Sequence, residues 1–152
     1  MSDTIYKLIP CDYTFYPDDD KKVEGAVRLL KSYIKADTIT WEKYDNPVFI
    51  DCGDNFDTVS CPFCEKSIEI DTWQEMMNKC FEESEFSNLN IVLPCCLKES
   101  TLNDLKYEME CGFAKLVIEV VNPEYPPCKH DLYEANKCFG KSVEFRMIVS
   151  HY

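Results

Sequence analysis

The sequence predicts an α+β protein, a ferredoxin-like split βαβ core that is interrupted by an inserted βαβ segment. With the middle of the chain set aside, hydrophobic patterns follow the order strand, helix, strand and then strand, helix, strand. The middle carries two cysteine pairs with thirty residues between them and shorter patterns of its own. A hydrophobic fraction of 45% in 152 residues fits one main core, and no internal repeat is evident.

Residues 1–55 are expected to form the first half of the core. A strand is predicted over residues 6–9, before Pro10, and two further strands over 38–41 and 47–50. The aspartates at 18–20 predict the start of a helix that runs to about residue 35. Its apolar positions recur at helical spacing: Val23, Ala26, Val27, Leu30 and Ile34.

Residues 112–152 are expected to form the second half. Cys111 and Gly112 predict a turn, since glycine permits positive φ. The apolar run 113–121 lacks alternation, which is typical of a strand covered on both faces. A last helix is predicted from Asp131 as N-cap to Gly140 as C-cap. The alternating pattern of 143–149 predicts the final strand.

The insertion, residues 56–111, is expected to join this core in a single compact domain. Its patterns predict a turn at the first cysteine pair, a strand over 67–70, and a helix capped by Asp71. A strand over 89–93 then leads into the second pair. The polar stretch 100–107 predicts a tight turn and a strand. This order of elements can bring the second cysteine pair close to the first in space.

Four cysteines in the insertion carry the strongest chemical signal: Cys61, Cys64, Cys95 and Cys96. A Cys-x-x-Cys turn presents two thiolates to one ion, and a second pair can complete a tetrahedral site. The pattern predicts a structural Zn²⁺ site, because four thiolates leave no open position for a substrate. Cys111 or Cys52 could replace one member of the adjacent pair.

Other chemistry remains open on a smaller set of residues. Cys61 and Cys64 could form a redox dithiol, but such a pair normally precedes a helix, and residues 65–70 alternate like a strand. Cys128 and His130 could form a nucleophilic pair, although a solvated helix start is the simpler interpretation. His151 is expected at the end of the last strand. Since no catalytic motif is present, the sequence favours a protein without catalysis and leaves enzyme activity open.

Charge bears on the class of partner. The formal net charge is −12, and residues 61–111 carry 11 acidic against 4 basic side chains. Such a surface repels nucleic-acid phosphates and fits a basic protein partner, for example in an immunity-type inhibitor. A zinc-ribbon protein that acts on nucleic acid or transcription machinery is the alternative. One helical stripe could also bind a partner, but is expected in the core: Trp73, Met76, Met77 and Phe81.

The chain start shows no basic segment followed by an apolar one, so no signal peptide is expected. No apolar run reaches the length of a membrane span. These observations predict a cytoplasmic protein, and in that compartment paired cysteines are typical metal ligands.

Several of these motifs resemble those of a group of uncharacterised bacterial proteins with a zinc-ribbon-like centre. The resemblance spans about residues 61–152 and departs at Leu97, where that group carries glycine. The resemblance implies a zinc site, but it does not imply any enzymatic activity. The similar stretches are Cys61-Pro62-Phe63-Cys64, Pro94-Cys95-Cys96, residues 100–107, residues 112–115, Asn122-Pro123 and residues 146–152.

Overall fold

The computed structural model describes residues 3–53, 58–140 and 143–152 of an α+β protein with three helices and antiparallel sheets in those ranges. The predicted domain boundary at residues 55 and 56 lies outside them. In chain order the elements are β1 Thr4–Pro10, α1 Asp20–Tyr33, β2 Thr38–Ile50, β3 Val59–Ser60, β4 Ser67–Ile68, α2 Ile70–Ser84, β5 Asn90–Val92, β6 Glu99–Thr101, a 3-10 turn Leu102–Asp104, β7 Lys106–Tyr107, β8 Gly112–Val121, α3 Lys129–Lys137 and β9 Phe145–His151.

Among the described residues, the main sheet has four strands in the order β2-β8-β1-β9, and every neighbouring pair is antiparallel. Strand β8 lies inside it, and one face packs against α1 and α3 through Leu116, Ile118 and Val120. On the opposite face Ala114 and Val117 join a second, smaller cluster. The prediction that this apolar run forms a strand covered on both faces is therefore confirmed.

The two helices on the main sheet begin and end near the predicted residues. Helix α1 starts after Asp19, whose carboxylate accepts the N–H of Lys21, and ends at Tyr33, two residues before the expected end. Helix α3 starts earlier than expected, and the prediction of Asp131 as its N-cap is wrong. Cys128 is the N-cap, and Asp131 lies in the first turn, where its carboxylate accepts the Cys128 N–H at 2.9 Å. The C-cap is Cys138, before the predicted Gly140.

Strand β2 is one continuous element where the sequence predicts two strands. Its pairing with β8 shifts between Lys43 and Val48, so a bulge absorbs the extra residues without ending the strand. Pro47 lies in this irregular part. It is tolerated because β2 is at the edge of the sheet, where one side of the strand needs no ladder hydrogen bonds.

The predicted turn at Cys111 and Gly112 is wrong, because Gly112 already pairs with Ile50 as the first residue of β8. Glycine is needed at this position because there is no room for a side chain. A Cβ atom at residue 112 would overlap the guanidinium of Arg146, which donates a 2.9 Å hydrogen bond to the Cys111 carbonyl oxygen. Arg146 thus ties β9 to the point where the chain enters β8.

We expect Gly112→Ala to lower the free energy of unfolding by about 1–3 kcal/mol, because Arg146 must release the Cys111 carbonyl oxygen. Urea denaturation measures the change. Gly25→Ala is the matched control. No atom lies within 4 Å of an added Cβ at this position in α1, so helix propensity should raise stability by about 0.5–1 kcal/mol. Equal effects of the two substitutions would contradict the steric argument.

The insertion has its own core between α2 and its short strands. Helix α2 starts at Ile70 with Glu69 as N-cap, so the predicted cap at Asp71 is wrong, and strand β4 ends at Ile68. The expectation of a buried helix face holds for Trp73 and Met77, while Met76 is half-buried and Phe81 is exposed. None of the helices in the described ranges combines the length and apolarity that crossing a lipid bilayer requires.

Candidate metal centre

The first cysteine pair lies in a tight turn between β3 and β4. Ser60 pairs with Ser67 at the base of this hairpin, and the N–H of Cys61 donates to the Lys66 carbonyl oxygen at 2.9 Å. The N–H of Glu65 donates to the Cys61 carbonyl oxygen at 3.0 Å, with Glu65 at a φ of 63°. The turn places the Cys61 and Cys64 side chains on the same side, as a Cys-x-x-Cys metal turn requires.

The second cysteine pair lies in a turn with the same backbone hydrogen bonds, between β5 and β6. Val92 pairs with Glu99 at its base, and the N–H of Leu93 donates to the Lys98 carbonyl oxygen at 2.9 Å. The N–H of Leu97 donates to the Leu93 carbonyl oxygen at 2.8 Å, and Leu97 has a φ of 60°. We call these two six-residue turns, 61–66 and 93–98, knuckle 1 and knuckle 2.

A comparison of the two knuckles position by position explains how two adjacent cysteines can both be ligands of one metal ion. Cys96 occupies the position of Cys64, while Leu93 occupies that of Cys61 and is fully buried. The missing thiol is supplied by Cys95, at the position that Phe63 holds in knuckle 1. The two turns are a short internal repeat that the sequence analysis missed. The shared pattern Pro-x-Cys-x-Lys in both turns could have revealed it.

The four sulfur atoms all lie within 4.8 Å of one another. Across the knuckles, the Sγ atoms of Cys61 and Cys96 are 3.8 Å apart, and those of Cys64 and Cys95 are 3.3 Å apart. Tetrahedral Zn²⁺ with bonds of about 2.3 Å separates its sulfur ligands by about 3.8 Å. The four cysteines that the sequence singles out are therefore brought together in a geometry compatible with one metal ion.

Cys61 is the innermost thiol of the group and is fully buried. Burial raises the pKa of its thiol, but the N–H groups of Cys64 and Phe63, at 3.4 and 3.3 Å, and neighbouring thiols outweigh it and lower the pKa to about 6. Contact with the Cys64 thiol and burial raise the pKa of Cys95 to about 12. A cation among the sulfur atoms would favour the thiolate form of all four.

The other residues singled out by the sequence lie elsewhere. The four-cysteine group does not include Cys52 or Cys111, which are buried at the main sheet with 2% and 4% exposure. Cys128 is exposed at the start of α3. The His130 ring packs edge-on against Tyr33 with 5.9 Å between centroids, and His151 Nδ1 lies 3.5 Å from the Thr4 hydroxyl.

The backbone around Cys61 and Cys64 differs from that of a redox dithiol. Strand β4 follows knuckle 1, and α2 begins only at Ile70. A helix N-terminus, which lowers the thiolate pKa in redox dithiols, is therefore not at this pair.

Comparisons with protein-family models, curated proteins and solved structures return no match, so the geometry of the four cysteines is what bears on function.

Proposed function

We propose that this chain is a non-catalytic zinc protein in which Cys61, Cys64, Cys95 and Cys96 hold one structural Zn²⁺. The observation that carries the proposal is the close approach of the four sulfur atoms, which all lie within 4.8 Å of one another. Two knuckles at the ends of β-hairpins support a zinc-ribbon-like insertion over residues 56–111. The antiparallel order β2-β8-β1-β9 supports a ferredoxin-like split βαβ core over residues 1–55 and 112–152.

A structural role follows from the number and kind of ligands. Four thiolates saturate a tetrahedral zinc ion, so no position remains for a reactive water or a substrate. Within residues 58–111, the part of the insertion that the structure describes, each strand is only two or three residues long. A metal that joins the two knuckles would contribute most of the stability that such strands lack.

We further propose that the chain acts as an interaction module for a basic protein in the cytoplasm. The excess of acidic side chains in residues 61–111, 11 against 4 basic ones, supports this class of partner. Four thiolates around Zn²⁺ add two further negative charges. The same charge speaks against the alternative that the chain acts directly on nucleic acid. One concrete form of the proposal is a bacterial immunity-type inhibitor that blocks a basic toxin.

A groove beside knuckle 2 suits such a partner. It lies between α2 and the β5–β6 hairpin, and has a volume of about 400 Å³. Its apolar lining includes the half-buried Met76 and Ile91, while the exposed Glu83 and Glu99 supply carboxylates and Lys79 an opposing amine. An arginine side chain combines an aliphatic stem with a charged fork, so it can cover the apolar lining and pair with a carboxylate.

The test compares partner capture by three forms of the protein. We expect the double variant Glu83→Lys/Glu99→Lys to lose the partner that the unchanged protein enriches from its host, with affinity reduced at least ~10-fold at low salt. Quantitative mass spectrometry of the captured proteins measures enrichment. Raising the ionic strength should weaken capture by the unchanged protein, because exposed charges are screened.

The matched control is Asp45→Lys/Glu124→Lys, which makes the same change in net charge at two exposed positions outside the groove. This variant should retain the partner. If both double variants lose the partner equally, binding depends on overall charge, and the groove is excluded as the specific binding site. Failure to enrich any protein above background would contradict the proposal that the chain is an interaction module.

A further inference from the structure

The four cysteines of the metal centre differ in their access to solvent. Cys61 is fully buried, Cys95 and Cys96 are half-buried, and Cys64 is exposed. Cys95 occupies the position of Phe63, whose side chain is 52% exposed, while buried Leu93 takes the inner position. The two more accessible thiols that face each other across the knuckles are therefore Cys64 and Cys95, with 3.3 Å between their sulfur atoms.

We propose that Cys64 and Cys95 form an oxidation site, at which a peroxide converts the two thiolates into a disulfide and the metal ion is released. The inference rests on the proposed zinc site and goes beyond it, since it assigns a second covalent state to the centre. The pair differs from the Cys61–Cys64 dithiol of the sequence, because it links knuckle 1 to knuckle 2.

The chemistry balances with a peroxide as the oxidant. One thiolate attacks a peroxide oxygen, an S–O bond forms, the O–O bond breaks, and hydroxide leaves. The second thiolate then attacks the resulting sulfenic acid, an S–S bond forms, the S–O bond breaks, and a second hydroxide leaves. Two sulfur atoms are oxidised and one peroxide is reduced. Only Cys61 and Cys96 remain as thiolates, which is too few to hold a structural zinc ion.

Geometry favours this pair over the others in the group. The Cys61 sulfur is fully buried and lies 3.8 Å from that of Cys96, so an oxidant reaches it last. A disulfide between the neighbouring residues Cys95 and Cys96 would close a strained ring. The Cys64–Cys95 disulfide instead joins the same two knuckles that the metal joins. Because Leu93 packs in the insertion core without being a ligand, that packing can persist in the oxidised state.

The test uses zinc-loaded protein in which the exposed cysteines outside the centre are removed by Cys11→Ser and Cys128→Ser. Hydrogen peroxide is added in steps, a chromophoric chelator reports free zinc, and mass spectrometry under non-reducing conditions maps cross-linked peptides. We expect one zinc ion released per disulfide formed, a mass loss of two hydrogen atoms, and a cross-link that fragmentation of the joined peptides assigns to Cys64 and Cys95. A thiol reductant with added Zn²⁺ should restore the starting mass and zinc content.

Three results would overturn the proposal. They are a disulfide at any pair other than Cys64–Cys95, including Cys61–Cys96, sulfinic acids without a cross-link, and zinc release only after loss of the native circular dichroism. The mapping needs no substitution at the four cysteines, so a variant that fails to fold cannot obscure it. If the protein never binds zinc, that result contradicts the proposed metal site. The mapped disulfide would still show whether Cys64 and Cys95 are oxidised together.

Discussion

Cys61→Ser is expected to reduce zinc content from about one ion per chain to none and to unfold the insertion. Cys61 is the fully buried member of the group, and its sulfur receives two backbone N–H groups. In small zinc domains the metal supplies on the order of 10 kcal/mol of folding free energy, and most of it should be lost with this ligand. Elemental analysis measures the zinc, and amide hydrogen exchange should show fast exchange in β3 to β7.

Cys128→Ser is the matched control for this substitution. Cys128 is exposed at the N-cap of α3, outside the four-cysteine group, so zinc content should be unchanged. Removing the metal from the unchanged protein with a strong chelator should reproduce the exchange pattern of Cys61→Ser. Retention of a full equivalent of zinc by Cys61→Ser would contradict the four-thiolate site.

Phe113→Ala is expected to lower the free energy of unfolding by about 3–5 kcal/mol. Phe113 is fully buried at the start of β8, and its ring lies 5.3 Å from that of Phe49 and 5.2 Å from that of Phe86. Its N–H donates to the Asn103 side chain at 3.0 Å. The ring belongs to the core of the insertion although its backbone belongs to the main sheet. Its removal should therefore leave a cavity where the two parts join.

Urea denaturation measures the free energy of unfolding of Phe113→Ala and of Phe81→Ala. The comparison distinguishes the effect of the cavity from the general effect of removing an aromatic ring. Phe81 lies in the same row of aromatic side chains, 5.3 Å from Phe86, but is 53% exposed. Its truncation should cost about 1 kcal/mol, because half of its surface is already in water. A cost for Phe113→Ala that is no larger than this would contradict tight packing between insertion and sheet.

The sequence predicts most elements because their patterns are local. The helical spacing of α1, the apolar run of β8 and the alternation of β9 are visible without knowledge of their neighbours. The four cysteines could also be found in this way, since the Cys-x-x-Cys spacing of the first pair is typical of a metal turn and a second cysteine pair follows.

Apart from helix caps that are shifted by two or three residues, the errors occur where a distant residue decides the local structure. Gly112 pairs with Ile50 in a strand, and glycine is needed there because Arg146 fills the space beside it. Strand β2 continues past its bulge because β8 is a continuous partner. The two knuckles are alike in backbone hydrogen bonds although one inner cysteine is replaced by Leu93. The sequence names Cys95 as a ligand, and the backbone hydrogen bonds show that it lies two positions along the turn from the buried Leu93.

The strand pairings also set an order in which the chain can acquire its structure. Ser60 meets Ser67 and Val92 meets Glu99 across turns of six residues, whereas Thr4 of β1 faces His151 of β9, 147 positions away. Closing a short loop costs little entropy and is fast, while long-range pairing is slow. During synthesis both knuckles leave the ribosome well before β9. The nascent chain can therefore bring its four cysteines together before β1 has paired with both of its neighbouring strands, β8 and β9.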